Sequence, residues 1–371
     1  MNDEPLVNGA AIVYRLYDVG YAIRLDRVVE LLASNVPERV RPGRGEAQAI
    51  QIANPPVSAH LGTEPIVVDG VSCTADVSVR IFDFGVCSLR FSVIAPPAMP
   101  WTAFSVFGSA VDRATELSRM FERHIRELTA RIAVAIDRPQ MAPVTEDFVV
   151  FRLTRLADAA GRPLPTSVLR DEDVVALLLN ERRPLSSAAR RELLPHRFSY
   201  YDDDLAILTW DTALVIEPAV QDTDIQYVLE FANAQLLELR VYDALLDAEL
   251  PAMYERVAAA RAPRLPLMGG SVRRVLATLQ TRVADITEPV ERVENSLKVT
   301  DDVYLARVYA SALEIFRARV WRQGIDRKLA IIRETYEMLN AEAQVARSEL
   351  LEIAVVLLIV AELVLAMVGR R

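Results

Sequence analysis

The sequence predicts an α+β protein in which two repeated strand–helix–hairpin–helix units form an antiparallel sheet body. A long antiparallel helical hairpin, a coiled-coil stalk, follows this body and ends in one C-terminal transmembrane helix. Three observations predict this fold class. One order of elements occurs twice in the first 260 residues, heptad-spaced apolar residues follow, and residues 350–368 are apolar on all sides.

The first unit is predicted at residues 1–140. Proline and glycine indicate that residues 42–62 are mostly loop, with a short strand near residues 49–52. Hydrophobic periodicity predicts the regular elements. In order, a strand, a short amphipathic helix, a hairpin and a long helix are expected at residues 10–16, 26–32, 76–93 and 102–136.

The second unit is predicted at residues 141–260, because the same order of elements returns. Val-Phe-Arg-Leu at residues 150–153 matches Val-Tyr-Arg-Leu at residues 13–16. The hairpin arm at residues 201–210 resembles the corresponding arm of the first unit, and a second long helix closes the unit. A repeat of this kind predicts that two small sheets pair or pack into one body.

A linker at residues 261–270, rich in proline and glycine, separates the body from a stalk predicted at residues 271–349. Apolar residues hold a heptad spacing in the first arm of the stalk, and Pro289 predicts a kink there. Thr300 and the two aspartates after it mark the start of the second arm. Two long helices joined by a short turn predict an antiparallel hairpin.

The C-terminal segment, residues 350–368, has the length and composition of a transmembrane anchor. Glu362 lies inside it at a cost of about 3 kcal/mol, which the many aliphatic side chains outweigh. Glu352 lies at its edge, where a carboxylate reaches the interface. The alternative is a helix buried in a soluble oligomer. Within a membrane, we expect a protonated Glu362 to bond a neighbouring copy of the same helix rather than to transport protons. Both glutamates are therefore candidate functional residues.

The composition of the chain limits the functions and the cellular location that can be expected for it. The net charge of −9 argues against a general nucleic-acid binder, because phosphate neutralisation requires a cationic surface. Cys73 and Cys87 have no metal-ligand spacing and are expected to be reduced, buried thiols. The first residues contain no apolar signal segment. We therefore expect a single-pass protein of the bacterial inner membrane with the bulk of the chain in the cytoplasm.

Motifs for catalysis are missing from the sequence: it contains no phosphate-binding loop, no dinucleotide fingerprint, no zinc-protease motif and no nucleophile elbow. The sequence therefore predicts neither an enzyme nor a cofactor. Asp202, Asp203 and Asp204 form the densest group of acids. Carboxylate oxygens of this kind could hold a divalent cation, and the alternative is a solvated hairpin turn.

Four stretches carry a resemblance to a known family. They are the strand pair at residues 80–91, two parts of the long helices at residues 293–304 and 327–340, and the entry at residues 351–353 to the terminal segment, which contains Glu362. In these stretches the chain resembles the "required for meiotic nuclear division" family, whose members are membrane-anchored proteins with a domain of unknown function. Mitochondrial members of that family lie in the inner membrane and support translation as oligomeric scaffolds. The resemblance implies a scaffold role and supplies no catalytic residue.

The predicted function is a non-catalytic, tail-anchored membrane scaffold that self-associates through the helical stalk. Its expected partners are membrane lipid, further copies of the chain and an unidentified protein, with no nucleic acid. Two alternatives remain open. One is a homo-oligomeric membrane transport component with Glu362 in the span, and the other is a divalent-metal enzyme that uses Asp202, Asp203 and Asp204.

Overall fold

The computed structural model divides the chain into two compact units. The first comprises Met1–Val241 and Val290–Val320, and the second comprises Tyr242–Pro289 and Trp321–Arg371. The structure describes residues 4–39, 50–52, 54–181, 183, 185–194, 196–218, 224–261, 277, 297–299 and 303–368.

Strands and helices alternate irregularly along the chain. The strands are β1 Leu6–Asp18, β2 Gly20–Ile23, β3 Glu38–Arg39, β4 Ile50–Ile52, β5 Val57–Val68, β6 Val71–Ile81, β7 Val86–Ile94, β8 Met99–Pro100, β9 Ile136–Pro139, β10 Thr145–Ala157, β11 Arg197–Phe198, β12 Leu205–Leu208, β13 Thr212–Ile216 and β14 Leu297–Val299. The α-helices are α1 Leu25–Leu31, α2 Trp101–Asp112, α3 Glu116–Ile132, α4 Asp171–Leu178, α5 Ser187–Leu193, α6 Asp224–Arg261, α7 Val303–Ile315 and α8 Ala318–Val368.

A ten-stranded sheet organises the first unit. Its order is β11-β12-β13-β10-β1-β7-β6-β5-β3, with β8 beside one end of β1. At its centre, Ile12 of β1 lies opposite Val150 of β10 and Ser92 of β7, and both pairings are antiparallel. However, β13 runs parallel to β10. The predicted antiparallel sheet body is therefore wrong: the sheet is mixed, because β13 runs parallel to its neighbour β10, whereas β7 and β10 both run antiparallel to β1.

One face of the sheet packs against the helices α1 to α4. Ala11 and Val13 of β1 belong to this core together with buried side chains of α2, α3 and α4. Phe91 of β7 meets Phe121 of α3 edge to face, with ring centroids 4.6 Å apart. Apolar side chains therefore supply most of the cohesion in this layer.

The opposite face packs against α6 and α7. Phe82 and Phe84, at the end of β6, contact Phe231 of α6 with ring centroids 5.7 and 5.9 Å away. Phe148 of β10 contacts Phe316, just after α7, at 5.8 Å. Helices thus cover both faces, which explains why the central strands carry nearly continuous apolar runs.

The second unit contains the later part of α6 and most of α8. Lys328 of α8 donates to Asp243 of α6 at 2.7 Å and forms an ion pair with Asp247 at 2.6 Å. Ile325, Ile332 and other apolar residues on the same stripe of α8 are buried. Residues 271–296 of the predicted stalk lie outside the described residues apart from Ala277, so the pairing of its two arms stays a prediction.

The predicted transmembrane helix is wrong. Within the part of the chain that the structure describes, every helix is too short or too polar to cross a bilayer. Residues 350–368 are the end of α8, a continuous helix of 51 residues. Glu352 and Glu362 leave only nine uncharged residues between them. That length is far below the roughly 20 apolar residues that a spanning helix needs. The cost of placing these two charges in a bilayer was therefore underestimated.

Candidate functional site

The end of α8 carries an exposed apolar surface, which we call the apolar end and define as residues 351–361. It contains eight large aliphatic side chains that are between 50% and 69% exposed. They are Leu351, Ile353, Val355, Val356, Leu357, Leu358, Ile359 and Val360. A helix that is apolar all round is normally buried, so this surface is the most unusual exposed feature among the described residues.

The two candidate glutamates lie at opposite ends of this surface: Glu352 is its second residue, and Glu362 directly follows it. Glu352 and Glu362 are both exposed. They are ten positions apart on one helix, so a rise of about 1.5 Å per residue separates them by about 15 Å. The sequence predicted that both belong to a transmembrane segment, which is wrong, and their functional role stays a prediction.

The aspartate cluster builds a turn between β11 and β12. Asp204 is buried, and its Oδ1 accepts hydrogen bonds from the backbone N–H groups of Tyr200, at 2.6 Å, and Tyr201, at 3.0 Å. The backbone carbonyl of Asp202 accepts a hydrogen bond from the N–H of Thr166 at 2.9 Å. Among the described residues, His, Cys, Asp and Glu side chains form no group of three that could hold a metal ion. Asp204 thus has a structural role in this turn.

Sequence reasoning missed a second feature, the α6 polar cluster, which we define as Tyr14, Arg80, Gln226, Tyr227 and Glu230. Every residue from 225 to 239 of α6 is buried, including several polar ones. Arg80 of β6 forms an ion pair with Glu230, and the two side chains are only 5% and 2% exposed.

Further contacts surround this ion pair. The guanidinium carbon of Arg80 lies 4.9 Å from the ring centroid of Tyr227, a cation–π distance. Gln226 Nε2 donates to the hydroxyl of Tyr14 at 3.4 Å. Burial raises the pKa of the Tyr227 phenol, which therefore stays protonated. The available signal was Arg80, a charged residue between two apolar residues of the strand, Val79 and Ile81.

A buried carboxylate lies at the end of β1. Asp18 Oδ1 accepts a hydrogen bond from the N–H of Gly20 at 3.1 Å. Gly85 has a φ of 102°, and a Cβ there would lie 1.9 Å from the carbonyl oxygen of Gly20, so the turn requires glycine. Burial raises the pKa of Asp18 to about 7. Burial, and then the charge of Asp18, also raises the pKa of the Cys87 thiol, so Cys87 is a poor nucleophile.

A surface groove of about 320 Å³ lies between α2 and α4. Ser105, Glu172 and Asp173 are among its lining residues. Both acids already form ion pairs, Glu172 with Arg190 and Asp173 with Arg170. The two carboxylates of the groove are therefore already engaged within the chain.

These features define a class: a protein with a three-layer first unit, helices on both faces of a mixed sheet, and an exposed apolar helix end. The chain belongs to the family described as "Uncharacterized protein MJ0711, N-terminal domain", which matches residues 8–223. It is similar to the "Uncharacterized protein MJ0711" of Methanocaldococcus jannaschii, with 24% identity over 205 residues. The match covers 55% of this chain and 62% of that protein, less than two thirds of its length. No solved structure matches the chain.

The family assignment corrects the resemblance drawn from the sequence. The match falls on residues 8–223, whereas the resemblance to the "required for meiotic nuclear division" family depended largely on the C-terminal third. That resemblance is wrong. Its motifs were short helical and apolar runs, which many unrelated long helices share.

Proposed function

We propose that this protein is a non-catalytic interaction protein that self-associates through the apolar end of α8. The single observation that carries the proposal is that eight aliphatic side chains within residues 351–361 are exposed on all sides of one helix. Soluble monomers rarely expose apolar patches above roughly 300–600 Å², and larger ones mark interaction sites.

The proposed occupant of this surface is a bundle formed by further copies of the same helix. One neighbouring helix covers only one side, so a helix that is apolar all round needs neighbours on several sides. In the sequence, Glu349 and Glu352 lie at the start of the apolar segment, and Arg370 and Arg371 follow it. Antiparallel neighbours would therefore bring acidic and basic ends together, which favours copies of this chain as partners.

The earlier part of α8 differs from the apolar end. Its apolar stripe, which includes Ile325, Leu329, Ile332 and Leu339, is already buried within the chain. Self-association was first expected through the stalk at residues 271–349. The burial of this stripe supports moving the proposed contact to residues 351–361.

Membrane localisation and a lipid partner stay predictions. Lipid is also the principal competing occupant of an exposed aliphatic surface. A test of self-association must therefore distinguish a bundle of chains from a single chain in a lipid or detergent particle.

Two valines on α8 provide a matched test. Val356 lies in the apolar end and is 57% exposed, whereas Val345 lies before it and is 59% exposed. We expect the wild-type chain to be oligomeric by light scattering after size-exclusion chromatography. Val356→Glu should lower the mass toward that of one chain, because the bundle would bury a charge, and Val345→Glu should not.

Three outcomes would overturn the proposal. A wild-type chain that is monomeric at pH 5 in detergent-free buffer would do so. So would equal effects of Val345→Glu and Val356→Glu. The third is a chain that stays monomeric in protein mass while it floats with phosphatidylcholine–phosphatidylglycerol vesicles, which would assign the surface to lipid.

A further inference from the structure

Directly after the apolar end, the helix carries a charged position that any surrounding bundle must accommodate. Glu362 is exposed in the single chain. The residues three and four positions before it are Ile359 and Leu358, and those three and four positions after it in the sequence are Leu365 and Ala366. Its helical neighbours therefore supply no cation.

Charges on other elements do not change this. Among the described contacts, no ion pair involves Glu362, and the nearest described acid on the helix is Glu352, about 15 Å away along the axis. In a bundle, the surfaces that would pack against Glu362 are the same apolar ends of other copies. They would bring aliphatic side chains and their own Glu362 carboxylates.

We propose that proton uptake by Glu362 controls self-association, so that the bundle forms in acid and dissociates as the pH rises. This inference rests on the proposed function. Burial without a cation disfavours the carboxylate form, and several carboxylates at one level of a bundle repel one another. Both effects act in the same direction, because each costs free energy only when Glu362 is ionised.

Thermodynamic linkage sets the size of the effect. If each chain takes up one proton on association, the association constant per chain falls about tenfold for each pH unit above the range where free chains lose that proton. A bundle of several chains responds more steeply, because the protons taken up add together. The role fits Glu362 better than Glu352, because Glu352 lies near the start of the segment, where solvent remains accessible.

The test is sedimentation equilibrium of the full-length chain at pH 5 and pH 8, at one ionic strength. It compares the wild type with Glu362→Gln and with Glu337→Gln, which removes an exposed glutamate earlier on the same helix. We expect the association constant of the wild type to fall at least tenfold between pH 5 and pH 8. Glu337→Gln should follow the wild type, whereas Glu362→Gln should associate equally at both pH values and more tightly than the wild type at pH 8.

The outcomes separate this inference from the proposed function. If the wild type and Glu362→Gln associate alike at both pH values, the control by Glu362 is overturned and self-association stands. If neither protein associates at either pH and Val356→Glu behaves as the wild type does, self-association itself is overturned. Circular dichroism at both pH values establishes that every variant compared is folded.

Discussion

Residues 225–239 of α6 and residues 351–361 of α8 are both helical, and each stretch has one environment on all sides. The first stretch is buried throughout although it includes Gln226, Glu230 and Asn233. The second is exposed throughout although almost all of it is aliphatic. Composition alone would assign the opposite environments to the polar residues of the first stretch and to the aliphatic residues of the second.

The difference shows where each stretch finds its partners. The polar groups of α6 have partners inside the chain: Glu230 bonds Arg80, Gln235 accepts a hydrogen bond from the Tyr309 hydroxyl, and Asn233 bonds the carbonyl of Leu229. The aliphatic groups of residues 351–361 lack comparable cover among the described residues. A buried polar helix is therefore explained by the sheet and helices of its own unit, whereas an exposed apolar helix points to another molecule.

The largest expected effect comes from the ion pair beneath α6. Glu230→Ala removes the carboxylate that faces the buried Arg80 guanidinium. We expect the free energy of unfolding to fall by about 3–5 kcal/mol, as when one partner of a buried ion pair is lost. Urea denaturation followed by circular dichroism measures the change.

An exposed ion pair provides the control. Arg27 and Glu30 form a pair whose side chains are more than half exposed, so Glu30→Ala should cost less than about 1 kcal/mol. The double variant Arg80→Met with Glu230→Leu should recover most of the stability, because it removes both charges and keeps apolar volume. If Glu230→Ala costs no more than Glu30→Ala, the α6 polar cluster does not depend on this pair.

The sequence predicted local elements better than their arrangement. The strand expected at residues 10–16 lies within β1, Leu6–Asp18, because its apolar run is unbroken. The helix expected at residues 102–136 is instead two helices, Trp101–Asp112 and Glu116–Ile132, because the apolar spacing continues across the break. Strand β5, Val57–Val68, was expected to be partly loop, since Pro55, Pro56 and Gly62 suggested turns.

The sequence did not predict how the strands pair or which helices are buried. Both β7 and β13 are apolar and buried, so periodicity does not reveal that one pairs antiparallel with β1 and the other parallel with β10. The α6 polar cluster also escaped, because Arg80 and Glu230 are 150 positions apart and neither forms a motif. Glu352 and Glu362 were chosen as candidate residues because a charge within an apolar run is visible in the sequence alone.

A second prediction concerns Asp18, a buried acid that accepts a hydrogen bond from the backbone N–H of Gly20. Burial raises the pKa of Asp18 to about 7 in the folded chain, whereas an unfolded aspartate titrates near about 3.9. Between these values the folded chain holds a proton that the unfolded chain has lost. Stability should therefore fall, by a few kcal/mol in total, as the pH rises from about 4 to about 7, and the loss should level off above that.

The variant Asp18→Asn tests this pH dependence. Asparagine keeps an oxygen to accept the Gly20 hydrogen bond but does not titrate, so the variant should lose this part of the decline and gain stability relative to the wild type at pH 8. Urea denaturation at pH 5, 6, 7 and 8 measures it. Asp203→Asn, in an exposed turn, is the control and should retain the wild-type slope. An unchanged slope in Asp18→Asn would show that another group causes any decline observed.

The smallest expected effect concerns the covered part of α8. Lys328 faces Asp243 and Asp247, and the Lys328 and Asp243 side chains are largely buried. Lys328→Met leaves Asp243 without this ammonium group, and we expect the second unit to lose about 1.5–3 kcal/mol of stability, the scale of a hydrogen bond to a charged group. Hydrogen exchange of α8 amides before residue 340 measures the loss, with Arg333→Met, at an exposed position of the same helix, as the control.

Self-association should remain as in the wild type in Lys328→Met, because the apolar end begins more than 20 residues later. This separation sharpens the contrast between the two parts of α8. The earlier part has its partner within the chain and responds to a lost internal contact with a local change in stability. The apolar end responds to protein concentration and, through Glu362, to pH. If Lys328→Met dissociates the oligomer as strongly as Val356→Glu does, α8 acts as one unit and the association surface extends into its covered part.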